Sequence, residues 1–124
     1  MILVDSSVWI DHFRRRDAEL SALLDARVVV SHPFVMGELA CGHLPKRDAV
    51  LTTLSRLPSA PVVAHGDVLA FVERHALMGH GIGWVDAHLL ASAIVAGRVF
   101  LWSHDRRLAA AAAERGVAYA RAAH

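Results

Sequence analysis

The feature that most restricts this chain is a series of short, unbroken apolar runs, at residues 2–4, 28–30, 99–102 and 117–120, separated by segments with helical spacing. A strand with one wet face alternates apolar and polar residues, whereas a strand covered on both faces is apolar throughout, so these runs predict buried parallel strands. Parallel neighbours need a crossover long enough to hold a helix. Helical patterns fall at 7–15, 18–26, 33–41, 45–57, 67–78, 84–97 and 106–115, with Pro33 and Pro45 suited to first turns and Gly42 and Gly116 to ends. Residues 59–64, which include Pro61, read as a connection. The alternation predicts an α/β fold: one domain over residues 1–124, with a central parallel sheet of about four to five strands, flanking helices and right-handed crossovers.

A chain of 124 residues can bury roughly two-thirds of its unfolded surface, enough for one core and too little for two domains. Thirteen Lys and Arg against twelve Asp and Glu leave a formal charge of +1, so no overall basic excess marks a nucleic-acid coat. Only four residues precede Asp5, too few for a signal-peptide core, and the single Cys41 cannot form an internal disulfide. These features predict a reducing cytoplasm, with Cys41 as a small buried hydrophobe. The stretches free of charged residues reach about half of the roughly 20 residues that a membrane helix needs, so no span is predicted. A mean hydropathy of +0.38 instead predicts apolar surface for a partner.

In open parallel sheets, ligands bind beyond the carboxyl ends of the strands. Asp5 directly follows the first run, and Asp105 lies three residues after Trp102. Each could simply cap the helix that follows. Glu38 sits in a helical segment among Met36, Leu39 and Cys41, and Asp86 occupies the first turn of the helix from Trp84, with Leu89 and Leu90 three and four residues on. Capping and helix-dipole effects account for each acid singly. They do not account for several acids in apolar surroundings within one small domain. Converging carboxylates repel unless they take up protons or share a cation. Hard oxygen donors favour Mg²⁺ or Mn²⁺, and magnesium bound by a few carboxylates commonly completes its sphere with water and substrate phosphate. The acids therefore predict metal-assisted hydrolysis of a phosphodiester.

Four segments carry a family resemblance: Val4-Asp5-Ser6-Ser7-Val8-Trp9-Ile10-Asp11, Gly37-Glu38-Leu39-Ala40-Cys41-Gly42, Asp86-Ala87-His88-Leu89-Leu90-Ala91-Ser92-Ala93, and Leu101-Trp102-Ser103-His104-Asp105-Arg106-Arg107-Leu108. In this order the chain resembles the PIN-domain ribonucleases, and more narrowly the VapC toxins of bacterial toxin–antitoxin pairs, from residue 2 to about 119. The resemblance implies that Asp5, Glu38, Asp86 and Asp105 are the acidic quartet of a Mg²⁺- or Mn²⁺-dependent endoribonuclease, with Ser7 steadying the first acid. It also implies a homodimer and a cognate antitoxin lying across the site. Ser6 stands where the family often has Thr, and Ser103 keeps a hydroxyl in the same sense.

The remaining features are read as structural. The nine histidines show no HExxH or Cys-His metal spacing. His104 reads as a loop residue, with substrate phosphate as the alternative. Arg14, Arg15 and Arg16 complement a helix C-terminus, and Arg106 and Arg107 lie beside Asp105, where RNA phosphate is the minority reading. Trp9 and Trp102 belong to the core, while Trp84 could be core or a base-stacking surface. Gly79, Gly81 and Gly83 lack the spacing of a phosphate loop and read as a hinge. Among rival functions, aspartyl-phosphate transfer wants an acid where Ser7 stands, and a receiver domain wants a late lysine where the sequence offers only Lys46. A non-catalytic binding module and a DNA-directed nuclease remain as alternatives.

Overall fold

The computed structural model describes residues 1–120, so the last four residues of the expected domain lie outside the described residues. The elements run β1 (Ile2–Val4), α1 (Ser6–Arg14), α2 (Ala18–Asp25), β2 (Val29–Val30), α3 (Pro33–Ala40), α4 (Arg47–Ser55), α5 (His65–Arg74), α6 (Trp84–Ala96), β3 (Phe100–Trp102) and α7 (Arg106–Glu114). The sheet is parallel with order β2-β1-β3, Leu3 pairing with Val30 on one side and Leu101 on the other. β1 is thus the central strand and is buried along its whole length. As its continuous apolar run requires, it is covered on both faces.

The sheet has three strands among the described residues, not the four to five expected. Single parallel bridges extend it at both edges, Ser31 to Ser59 and Leu101 to Ala118. The run at 117–120 makes only that contact: Leu101 N–H donates to Val117 and Tyr119 N–H to Leu101, at 2.7 and 2.9 Å. At the other edge Pro58 and Pro61, which have no N–H to donate, bracket the bridge and leave no room for a ladder.

The core is built from Leu3, Val4, Val8, Leu20, Leu89, Leu90, Leu101 and Leu108, all fully or almost fully buried. α6 is buried at every residue from Ala87 to Ser92 and on to Ala93, so it runs through the interior as a helix that is apolar all round. Its first turn, which holds Asp86, emerges where the interior ends. Trp9 and Trp102 are core residues, as expected, whereas Cys41 is exposed. Cys41 follows the buried Leu39 by two positions, roughly 200° around a helix, which turns it to the opposite side. Among the described residues no helix is long and apolar enough to cross a membrane.

α5 ends at Arg74, four residues earlier than its apolar pattern suggests. Ala76 adopts a left-handed backbone with φ 49°, and Leu77 N–H then reaches Val72 O (3.1 Å) while Ala76 N–H reaches Glu73 O (3.2 Å). These paired bonds close the helix as a glycine would, but without a glycine to announce the end. Gly116 plays the same part after α7 with φ 71°. An L-residue with a Cβ in this conformation is strained by roughly 1–2 kcal/mol, partly offset in glycine by its freer unfolded chain. Ala76→Gly is therefore expected to stabilise the domain by up to about 1 kcal/mol, read from the urea midpoint; a loss of stability would show that the turn carries no such strain.

Candidate active site

Asp5 leaves the carboxyl end of β1 and is 4% exposed, a degree of burial that a carboxylate tolerates only when hydrogen-bonded. As the N-cap of α1 it accepts the Ser6 N–H on Oδ1 at 2.7 Å. Its Oδ2 accepts two hydroxyls, Ser7 Oγ at 2.8 Å and Ser103 Oγ at 2.7 Å. These hydroxyls are in turn aimed by backbone donors. His104 N–H donates to Ser7 Oγ and Asp105 N–H to Ser103 Oγ, each at 3.0 Å. The Asp5 N–H donates to Trp102 O at 2.9 Å, carrying the β1–β3 ladder one step beyond the strands. Ser7 thus touches Asp5 directly.

Asp105 caps α7, accepting Arg107 N–H and Leu108 N–H on Oδ1 at 2.9 and 3.1 Å, with no bond to its Oδ2 among the described residues. Asp86 is the third residue of α6, where the backbone N–H of Gly83, the N-cap, favours its charged form without a capping hydrogen bond. Capping and convergence, treated above as rival explanations, hold together. Three of the acids sit at helix N-termini, whose partial positive charge makes a crowd of carboxylates less costly. Glu38 differs, since it lies near the C-terminal end of α3, and it joins the group through Ser6 Oγ at 3.2 Å. The Ser6 hydroxyl lies 3.4 Å from Asp5 Oδ1, but its single proton serves only one of these acceptors. With the proton on Glu38, Asp5 Oδ1 keeps an open lone pair.

The four acids feel one another. Burial, followed by the charge of Asp5, pushes the Asp86 carboxyl up to about 6, with Asp105 and Glu38 adding to the effect and the Gly83 N–H opposing it. Glu38 is raised as well, first by loss of water and then by Asp5, against the Ser6 hydrogen bond. Among the described residues no three His, Cys, Asp or Glu side chains are grouped so that together they could hold a metal ion. Oxygen-only donors with mutual repulsion match a hard cation that keeps part of its water shell. That chemistry fits Mg²⁺ or Mn²⁺ better than a tight all-protein cage.

The histidines take structural places. His32 caps α3, its Nδ1 accepting Phe34 N–H at 3.0 Å, so the proton sits on Nε2, 3.1 Å from Ser92 Oγ on α6. Its burial and nearby His88 hold this imidazole down to about 4, hence neutral. His88 is buried against Phe34 and Trp84, with ring centroids 4.3 and 4.7 Å away. His104 pairs through Nδ1 with Asp11 Oδ2 at 2.6 Å. No local pattern assigned Asp11 a role beyond its place in a motif. Trp84 remains 38% exposed.

Residues 2–114 match the PIN domain family. Relatives include the Ribonuclease VapC32 proteins of Mycobacterium tuberculosis strains CDC 1551 / Oshkosh and ATCC 25618 / H37Rv, each 51% identical over 120 residues, covering 97% of this chain and 97% of theirs. The chain belongs to the PIN-domain family. In this PIN domain the hydroxyls of Ser6 and Ser103 matter as much as that of Ser7. Sequence reading saw that they are hydroxylated but not that they bridge the acids, because that depends on which strand ends lie side by side.

The shifted acid has a thermodynamic consequence. Between the ordinary carboxylate value of 3.8 and about 6, folded Asp86 holds a proton that the unfolded chain has released, so its contribution to stability falls as pH rises through this window. His32 works in the opposite direction: neutral in the fold to about 4 but protonated below 6.5 when unfolded, it loses stability as pH falls. Comparing two proteins that share His32 cancels its effect. In EDTA, Asp86→Asn is expected to match wild type near pH 4, gain in Tm up to pH 6, and keep the gain above. Parallel Tm profiles in scanning calorimetry would show that the carboxylate is not under strain.

Proposed function

We propose that this PIN domain is an endoribonuclease toxin that hydrolyses RNA phosphodiester bonds, with Asp5, Glu38, Asp86 and Asp105 as its acidic site. The observation that carries the reading is the gathering of acids beyond the carboxyl ends of β1 and β3, where burial, then the charges of Asp5, Asp105 and Glu38, raise the Asp86 carboxyl. The relatives' printed name, Ribonuclease VapC32, supports the same activity.

Asp5, Asp86 and Asp105 would hold Mg²⁺ or Mn²⁺, with Glu38 acting through water. When bound, the ion supplies a lowered pKa for the attacking water and charge relief on the phosphoryl oxygens. The chain's own residues do the rest. Ser7 and Ser103 donate to Asp5 Oδ2 and fix its orientation, the Ser6 hydroxyl orients Glu38, and capping of α7 leaves Asp105 Oδ2 available. RNA and these acids would meet in the cytoplasm.

A cognate antitoxin and a homodimer complete the proposal. A mostly apolar groove of about 540 Å³ is lined by Ile10, Phe13, Leu39 and Leu44, with Glu38, Arg14 and His43 also on its walls. A partner segment lying there could place an arginine among the acids, where a planar guanidinium can bridge two carboxylates. Neutralising Asp86 or Asp105 would then weaken antitoxin binding as well as catalysis.

Purified free of partner proteins, the chain is expected to cleave cellular RNA with Mg²⁺ or Mn²⁺, to stop in EDTA, and to work poorly with Ca²⁺, whose coordination is longer and looser. Asp5→Asn should abolish cleavage. Asn keeps an oxygen for the Ser6 N–H, and the Ser7 and Ser103 hydroxyls can turn to its amide, so this variant should fold; Asp5→Ala forfeits the cap, a loss of about 1 kcal/mol. Cleavage that survives exhaustive chelation, or full activity in Asp5→Asn, would overturn the assignment. A strictly monomeric protein in light scattering would remove the dimer.

A further inference from the structure

Between the C-terminal end of α5, the loop that follows it and α7 lies a cavity of about 330 Å³. Its polar lining is mostly basic: His75, His80, Arg107 and Arg115 against one acid, Glu114. Arg115 ties the wall together, Nη1 donating to Ala111 O at 2.8 Å and Nη2 to His75 O at 3.1 Å, with Glu114 3.5 Å away. That ion pair offsets the acid.

Arg107 is different. Its side chain lies flat against Gly81, so closely that a Cβ there would stand 2.5 Å from its Cδ and 2.8 Å from Nε and Nη1. Gly81 also has φ +74°, a conformation that suits glycine. The arginine thus lies over a residue whose lack of a side chain leaves it room. Among the described residues no carboxylate pairs with its guanidinium. Its backbone N–H donates to Asp105 Oδ1 at 2.9 Å, which fixes it to the acidic site. An unpaired guanidinium on the wall of a concave surface, two residues after Asp105 in the chain, suits a phosphate that adjoins the one bound at the acids.

We propose that this cavity binds a backbone phosphate of the RNA strand next to the bond that is cut, through the guanidinium of Arg107 with the ring N–H groups of His75 and His80 as further donors. The inference rests on the ribonuclease reading, since the RNA places its second phosphate here only if the acids take the first. It gives the glycines of the 79–83 loop a purpose other than hinge motion: Gly81 makes the seat for Arg107.

The test is fluorescence anisotropy of a labelled single-stranded RNA in Ca²⁺, which leaves the strand largely uncut. Arg107→Ala is expected to weaken binding about tenfold and to lower the slope of log affinity against log salt by about one, the signature of one lost phosphate contact. Arg107→Lys should keep most of the salt slope, because the charge remains, and it also serves as a folded control. In RNAs carrying a single neutral methylphosphonate, one position beside the cut should weaken binding to wild type and have no further effect in Arg107→Ala. Equal affinity and equal slope in Arg107→Ala, or a loss spread evenly over all phosphate positions, would overturn the proposal. So would a variant that binds RNA normally but a co-purifying protein partner more weakly, which would assign the cavity to that protein. Absence of cleavage with Mg²⁺ strikes the ribonuclease reading alone, because the binding measurement does not require cleavage.

Discussion

A carboxylate at the end of a central strand has almost no water, and the arrangement of the candidate site follows from keeping its oxygens hydrogen-bonded. Asp5 is 4% exposed and accepts one backbone N–H and two serine hydroxyls. Those serines come from different places: Ser7 from the first turn of α1, and Ser103 from the link between β3 and α7. Satisfying one buried charge therefore locks the two strand ends together and fixes where α1 and α7 begin. The Asp105 N–H completes this chain of bonds by donating to Ser103 Oγ. The second strand-end acid is consequently positioned by the group that steadies the first.

The other two acids enter by different physical routes. Asp86 stands where a helix buried on every side first meets the surface, so it gains the N-terminal field of α6 but loses water. Glu38 has no helix N-terminus to favour its charge and depends on Ser6. α3 and α6, which carry these acids, are tied by the neutral imidazole of His32 reaching Ser92. A neutral link suits this place, because a second buried charge would require its own partner.

The parallel sheet, the seven helical segments and the strand-end position of Asp5 and Asp105 were legible because uninterrupted apolar runs and flanking acids are local signals. The extent of the sheet was not. Residues 117–120 look as apolar as a strand, but strand length depends on how many partners the neighbour offers, and Leu101 is the one bridge they form. The end of α5 was hidden because Ala76 performs a turn usually marked by glycine. Cys41 was misplaced because apolar neighbours in sequence need not share a helix face. The hydroxyl bridges among Ser6, Ser7 and Ser103 and the pairing of Asp11 with His104 join residues up to 98 positions apart, and no local pattern records them.

The double duty of Asp5 also shapes how such a chain can be silenced by mutation. A lineage that must disarm the site can lose a carboxylate in several places, but the consequences for the fold differ. At Asp5 and Asp105 the same atoms hold helix starts, so disarming there also loosens the scaffold. At Asp86 the side chain is under electrostatic pressure and makes no capping hydrogen bond at the start of α6. Loss of a carboxylate with the least cost to the fold is accordingly most accessible through position 86.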